Sequence, residues 1–165
     1  MKKKLILAVL IAVVAPALWL GSGGGPGWAD NNLGFGQKLA GGWLAELDVG
    51  YDVEIMLSFT ADGGLMANGT LRNDALGRYN TTSHGSWKRT GPNKIESVTL
   101  LFIQDNDGKT VMYEKVLLDL TLKAHRAEMA GTGLIQLILA GNDPLDPKAQ
   151  VYMEIPITET LRRIQ

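Results

Sequence analysis

Apolar and polar residues alternate along almost the whole chain after residue 42. The clearest stretch is YDVEIMLSFT, in which Tyr51, Val53, Ile55, Leu57 and Phe59 share one face. Charged and hydroxyl side chains, with one methionine, occupy the other face. Because successive side chains of a strand point to opposite faces, this pattern predicts a β-strand with one buried face.

Short turn sequences divide the pattern into strands. ADGG and DNDG carry the Asp-Gly pairs typical of tight hairpins, and TGPN and GNDPLDPK add glycine- and proline-containing turns. The strands predicted between them cover residues 42–48, 51–60, 64–71, 82–89, 94–104, 109–123, 126–139 and 149–157. ETLRRIQ is a candidate ninth strand, and residues 72–82 are predicted as a loop. The glycines in residues 31–42 leave room for about one helical turn.

Consecutive strands joined by short hairpins predict an all-β fold. The pattern has no helices between strands, which excludes a βαβ protein. About eight such strands can close into an antiparallel up-and-down β-barrel, which removes exposed sheet edges. A barrel of this size either packs solid or holds one small ligand.

The first 29 residues have a different character. Three lysines precede an apolar run from residue 5 to residue 20, and small and polar residues follow up to Ala29. This is the layout of a secretory signal peptide cleaved before Asp30, with a retained membrane anchor as the alternative. The expected organisation is therefore a signal peptide at 1–29 and one domain at 30–165. The protein would be secreted or periplasmic, without a transmembrane span after cleavage.

Composition excludes several kinds of partner and site. Of the 165 residues, 45% are hydrophobic and 20% charged, and the formal net charge is −1. Without residues 1–29 the chain has 13 basic and 17 acidic residues, so a nucleic-acid partner is not expected. The chain has no cysteine, which rules out disulfides and thiol chemistry.

A short Gly-x-Trp motif occurs twice, as GGW ending at Trp43 and as GSW ending at Trp87. Glycine and tryptophan two residues apart share a face of a strand. The glycine leaves space for an indole ring or lets a neighbouring strand bend sharply. Gly85 of the second copy, and Gly131 and Gly133 in AGTGLI, are expected to serve this structural role.

These elements resemble the lipocalin and calycin superfamily, and in particular small secreted lipocalin-like bacterial proteins. The elements that carry the resemblance are GGW, LSFTADG, HGSWKRTGP and RRI. The resemblance implies an arginine from the last strand stacked on Trp43. Arg162 or Arg163 could fill that role, and Arg162 is taken as the candidate. Eight-stranded barrels of the allene oxide cyclase type would give a similar strand pattern.

The histidines do not form a recognisable reactive site. If Trp87 points inward, alternation turns His84 and Ser86 outward and Ser83 inward, so the two serines cannot both serve His84. His84 and His125 lack any metal-binding spacing. Neither a metal ion nor a cofactor is predicted.

Glu114 is the candidate for chemistry because it shares a face with Met112, Val116 and Leu118. A buried carboxylate would need a partner, such as Arg89 or a polar group of a ligand, or a raised pKa. The alternative, favoured because burying a charge is costly, places Glu114 at the rim in contact with water.

The leading hypothesis is a barrel that binds a small apolar or amphipathic molecule in its interior. The residues expected to line that interior are Tyr51, Val53, Ile55, Leu57, Val116, Leu118, Met153 and Ile155. One alternative is a cyclase or isomerase that uses Glu114 and Arg89 on an apolar substrate, although binding is favoured over catalysis. A second is a structural homo-oligomer, because residues 97–104 and 133–141 are apolar on both faces.

Overall fold

The computed structural model describes residues 34–49, 52–69, 79–124 and 127–165. Within these ranges the chain forms nine β-strands after a helical segment at residues 34–39. The strands are β1 (Gly41–Asp48), β2 (Asp52–Phe59), β3 (Gly64–Gly69), β4 (Tyr79–Asn80), β5 (Ser83–Arg89), β6 (Lys94–Gln104), β7 (Thr110–Leu122), β8 (Glu128–Leu139) and β9 (Val151–Arg163). The predicted signal peptide at 1–29 lies outside the described residues.

The strands close into an antiparallel up-and-down barrel, as the alternation predicts. In the described part of the chain, eight strands follow the order β1-β2-β3-β5-β6-β7-β8-β9, and β9 pairs back onto β1 with Trp43 opposite Arg163. The two-residue β4 lies beside the C-terminal part of β6, where Asn80 pairs with Ile103. Closure gives every barrel strand two neighbours, which removes the free edges of an open sheet.

Two details differ from the sequence prediction. The predicted strand at 149–157 and the candidate ninth strand are one continuous β9, which runs to Arg163. Pro156, which the predicted strand already contained, lies in the part of β9 that pairs with β8 alone among the described residues. Proline is tolerated at such positions because no second neighbouring strand needs a hydrogen bond from its missing N–H. The predicted loop at 72–82 contains the short strand β4.

The interior is packed most tightly at one end of the barrel, which we call the helix end. Residues 34–39 cover this end, and Leu39 and Trp43 are fully buried there. Trp43 Nε1–H donates to the carbonyl oxygen of Leu39 at 2.9 Å, and the ring of Phe35 lies 6.1 Å from that of Trp87. The opposite end, which we call the far end, carries the β1–β2 turn and the β6–β7 hairpin.

Part of the outer surface is also apolar. Phe102 and Tyr113 lie side by side on β6 and β7 with their ring centres 5.7 Å apart, and Phe102 is 42% exposed. The β8–β9 connection reaches β7 at Lys115, whose Nζ donates to the carbonyl oxygen of Pro144 at 3.3 Å. The homo-oligomer expected from this second apolar face stays a prediction.

Candidate functional site

A cavity lies inside the barrel, in the half nearer the far end. It is bordered by side chains from all eight barrel strands, from β4 and from the residues that directly follow β1 and β4. The residues around it are Leu47, Val49, Val53, Ile55, Leu57, Ala67, Asn80, Thr81, Ser83, Thr99, Leu101, Glu114, Val116, Leu118, Ile135 and Glu159. Most of these side chains are aliphatic, and the polar ones are two carboxyls, one amide and three hydroxyls.

The cavity has a volume of about 50 Å³. A single water molecule needs roughly 10–15 Å³ of such space, so the cavity holds a few waters or a small organic group. The barrel is therefore neither completely solid nor wide enough, in this conformation, for a large hydrophobic ligand, since typical ligand pockets measure roughly 300–1,000 Å³.

Glu159 is the most unusual group on the cavity wall. It lies on β9 between Leu47 of β1 and Gly131 of β8, and it is 2% exposed. Neither of its carboxyl oxygens has a hydrogen-bond partner among the described residues. Burial without a partner disfavours the charged form and raises the pKa of Glu159 to about 8.

Glu114 borders the same cavity from β7, where it lies between Leu101 and Leu137 on the neighbouring strands. It is 8% exposed, so the expectation that it reaches water at the rim is wrong. The alternation already placed it on the inner face, and β7 extends four residues beyond it towards the far end. Burial raises the pKa of Glu114 to about 7.

Ser83 adds a buried hydroxyl to the polar groups on the cavity wall. Ser83 is buried, and its Oγ has no hydrogen-bond partner among the described residues. Buried polar groups nearly always have a protein or water partner, so each exception needs an explanation. Ser83 and Glu159 both border the cavity, and a molecule held there could supply the missing hydrogen bonds.

The structure brings five of the eight predicted lining residues together around the cavity: Val53, Ile55, Leu57, Val116 and Leu118. Ile155 is half-buried and packs against the core beside the cavity without bordering it. Met153 is 46% exposed and does not line the interior. The reason is that β1 pairs with β9 only from Thr158 onward, so Met153 lies where the described wall of the barrel is incomplete. Tyr51 lies outside the described residues.

The predicted pair of Glu114 and Arg89 does not come together. Their partners on β6 are Leu101 and Ile95, six positions apart, which corresponds to about 20 Å along a strand. Arg89 lies at the helix end, where its guanidinium is 4.8 Å from the centre of the Phe35 ring. Its Nε donates to the carbonyl oxygen of Gly91 at 2.8 Å. Arg89 therefore holds its own turn and the helical segment.

The second Gly-x-Trp motif is scaffold. Trp87 is buried and donates from Nε1 to the carbonyl oxygen of Thr60 at 3.0 Å, whereas His84 on the opposite face is exposed. A Cβ added at Gly85 would lie 1.8 Å from the carbonyl oxygen of Val98. The glycine thus permits close approach of the neighbouring strand β6.

The same close approach occurs on β8. A Cβ at Gly131 would lie 1.8 Å from the carbonyl oxygen of Asp119, and one at Gly133 would lie 2.4 Å from that of Leu117. The atoms nearest these positions belong to β7 and to Ile157 and not to a tryptophan. The expected packing of tryptophan on glycine is therefore not what these glycines provide.

Arg163, and not Arg162, stacks on Trp43. The Arg163 guanidinium carbon lies 4.6 Å from the centre of the Trp43 ring, whereas Arg162 forms an ion pair with Glu46 on the outer surface. Choosing Arg162 was wrong because Trp43 pairs with Arg163 across β1 and β9, which puts Arg162 on the other face.

Glu159 was not among the predicted site residues, although the sequence contains the signal for it. Ile155, Ile157, Glu159 and Leu161 alternate with polar residues in the same way as the apolar face around Glu114. Because the predicted strand ended at residue 157, Glu159 fell in a separate segment and its shared face with Ile155 and Ile157 was not recognised.

In the described ranges, no three histidine, aspartate or glutamate side chains come together as a metal site. His125 lies outside those ranges.

The fold and the cavity define a small closed antiparallel β-barrel with an aliphatic interior that contains two buried carboxyl groups. This architecture is consistent with a calycin-like fold. Comparisons with protein-family models, with curated proteins and with solved structures found no match to the chain. None of the helical residues that the structure describes form a segment long and apolar enough to cross a membrane.

Proposed function

We propose that this protein is a lipocalin-like barrel that binds a small apolar or amphipathic molecule in its interior. The observation that carries the proposal is a cavity with aliphatic walls, onto which Glu159 presents two buried carboxyl oxygens without a protein partner. Binding sites for small molecules are typically concave and mostly apolar, with a few polar groups that fix the orientation of the ligand.

The arrangement at the helix end supports the lipocalin-like assignment. A helical segment precedes β1, Trp43 of the Gly-x-Trp motif is buried beneath it, and Arg163 from the last strand stacks on the ring. The stacking of a last-strand arginine on Trp43 is the contact that the resemblance implies. A tightly packed helix end leaves the far half of the barrel for the ligand.

Extraction of the native protein tests the proposal. The protein is purified from its own source without detergent and extracted with organic solvent, and the extract is analysed by mass spectrometry. A small compound recovered in near-stoichiometric amount, and absent from an extract of an unrelated protein purified in parallel, supports interior binding. An empty extract, together with no uptake of small apolar or amphipathic compounds by the purified protein, would overturn it.

We further propose that the mature protein is secreted or periplasmic. The support is the layout of residues 1–29, with three lysines, an apolar run and small residues before Asp30. Fractionation of the source cells and N-terminal sequencing test this. The expected result is a mature chain that begins at Asp30 outside the cytoplasm, whereas an intact Met1 in a cytoplasmic or membrane fraction would contradict it.

A catalytic role is the second candidate, and one observation favours it. Glu114 borders the cavity with a pKa raised to about 7, and a group with such a pKa can accept or donate a proton near neutral pH. If the extracted compound is a product, incubation with its precursor should give turnover that Glu114→Gln reduces at least tenfold. Turnover unchanged in Glu114→Gln would exclude this role, and a compound that is bound but never altered would leave binding as the function.

A further inference from the structure

The ionisable groups around the cavity are all acids. Glu114 and Glu159 are its two ionisable side chains, and the described residues that border it include no lysine, arginine or histidine. An anionic ligand would find no cationic partner in this apolar interior, and it would be repelled by either acid in its ionised form. The cavity therefore selects against carboxylates and phosphates.

The immediate neighbours of Glu159 offer it no hydrogen-bond donor. On β1 its partner in the ladder is Leu47, and on β8 its partner is Gly131, which has no side chain. Both carboxyl oxygens are buried and unpaired among the described residues. In its ionised form, Glu159 lacks a hydrogen-bond donor, and preferably one that also balances its negative charge.

We propose that the interior cavity binds a small aliphatic amine, with its ammonium group against the Glu159 carboxylate and its hydrocarbon part against the aliphatic wall. This inference rests on the proposed interior binding and specifies the ligand class. Glu114 and Ser83 border the same cavity and are further acceptors for the ammonium protons. The hydrocarbon part would contact side chains such as Val53, Ile55 and Val116.

An ammonium group fits this site better than a neutral polar group does. It carries three donors and no acceptor, whereas an alcohol brings one donor together with lone pairs that need donors of their own. The hydrogen bonds from an ammonium to a carboxylate are also charge-assisted and therefore stronger.

The volume limits the size of the amine. A cavity of about 50 Å³ corresponds to roughly three to five water molecules and hence to a ligand with a similar number of non-hydrogen atoms. n-Propylamine meets this limit. 1-Propanol and propionate have nearly the same shape and differ in charge, so they provide matched comparisons.

The test is a titration of the mature chain with n-propylamine, 1-propanol and propionate, followed by calorimetry and by ligand-detected NMR. We expect n-propylamine to bind at least tenfold more tightly than 1-propanol, and propionate not to bind. Glu159→Gln keeps the shape of the side chain without its charge, and it should weaken n-propylamine binding at least tenfold and 1-propanol binding much less. Glu54→Gln, an exposed position on β2, should change neither.

The outcomes separate this inference from interior binding itself. If 1-propanol binds as well as n-propylamine, or if Glu159→Gln binds the amine normally, the amine assignment is overturned while interior binding stands. If Glu54→Gln weakens amine binding as much as Glu159→Gln does, the amine associates with surface carboxylates and the assignment is again overturned. If none of the three compounds binds, the inference fails, and solvent extraction of the native protein decides interior binding independently.

Discussion

Arg163 lies over the indole ring of Trp43, with its guanidinium carbon 4.6 Å from the ring centre. The same guanidinium donates from Nη1 to the carbonyl oxygen of Ala40 at 2.9 Å and from Nη2 to the carbonyl oxygen of Lys38. Trp43 in turn donates to the carbonyl oxygen of Leu39. The last strand, the first strand and the end of the helical segment are thus joined through two side chains.

Arg163→Ala should therefore destabilise the barrel by about 2 kcal/mol. The variant loses a stacked cation and leaves backbone carbonyls near the helix end without their donors. Urea denaturation followed by tryptophan fluorescence measures the change. Arg163→Lys keeps the charge but not the planar fork of donors, so it should recover only part of the loss.

Arg162→Ala is the matched control for Arg163→Ala. Arg162 is the adjacent arginine, and its ion pair with Glu46 lies on the outer surface. Exposed ion pairs contribute about 0–1 kcal/mol, so Arg162→Ala should stay near the parent protein. Equal losses in the two variants would mean that stacking on Trp43 does not hold the helix end together.

The choice between these two arginines shows what local sequence patterns can and cannot predict. Alternation along one strand shows which residues share a face, and it grouped Glu114 with the apolar residues Val116 and Leu118. Deciding between Arg162 and Arg163 needs the register between the first and last strands, which are more than 100 residues apart. No local pattern contains that register, because it follows from closure of the barrel.

The aliphatic part of the cavity wall was predicted, but Glu159 and the shape of the cavity were not. Apolar inner faces predicted an aliphatic interior, and five of the predicted residues border the cavity. Whether a barrel interior is filled depends on strand tilt and on how opposite walls interdigitate, which a one-dimensional pattern does not describe. Met153 illustrates the limit, because its position on the strand ladder, where β1 no longer pairs with β9, makes it exposed.

The buried acids predict that the barrel is most stable at acidic pH. In the folded protein the pKa of Glu159 is raised from 4.5 to about 8 and that of Glu114 from 4.5 to about 7. Between these values the folded state holds more protons than the unfolded state, so stability falls as pH rises from about 4.5 to about 8 and then levels off. The loss is on the order of 1.4 kcal/mol for each unit of pKa shift.

Glu159→Gln should flatten this pH dependence, since an amide does not ionise. We expect it to match the parent protein at pH 5 and to exceed it in stability at pH 9, as measured by urea denaturation at both values. Glu54→Gln, on the exposed face of β2, should retain the full dependence. A Glu159→Gln protein that loses as much stability as its parent between pH 5 and pH 9 would show that Glu159 ionises freely in the folded state.

The close approach of β7 to β8 predicts that Gly131 cannot carry a side chain. A Cβ at this position would lie 1.8 Å from the carbonyl oxygen of Asp119 and 3.0 Å from the Cα of Leu120. These are backbone atoms, so relief requires the strands to separate. Gly131→Ala should therefore cost about 1–3 kcal/mol in the free energy of unfolding, a range typical of overpacking.

Gly34→Ala serves as the control for Gly131→Ala, because no atom lies within 4 Å of its added Cβ. We expect it to leave the free energy of unfolding unchanged or slightly raised, since alanine is favoured over glycine in a helical segment. If Gly131→Ala is as stable as Gly34→Ala, the strands around Gly131 are farther apart than described.

Ala67→Leu should close the cavity while preserving the fold. Ala67 borders the cavity from β3, between Leu57 of β2 and Ser83 of β5. The larger side chain projects into existing space, and filling a cavity commonly stabilises a protein by about 0.5–2 kcal/mol. We therefore expect unchanged or raised resistance to urea, together with at least a tenfold loss of affinity for the extracted compound or for n-propylamine.

Met66→Leu controls for the effect of a new leucine on β3, because Met66 is the adjacent residue and is 45% exposed. It should bind as the parent protein does. If Ala67→Leu is folded and binds its ligand as well as Met66→Leu, the ligand does not occupy the interior. A loss of affinity confined to Ala67→Leu, with stability retained, would place the bound molecule inside the barrel, because the two substitutions differ chiefly in the face of β3 on which the new side chain lies.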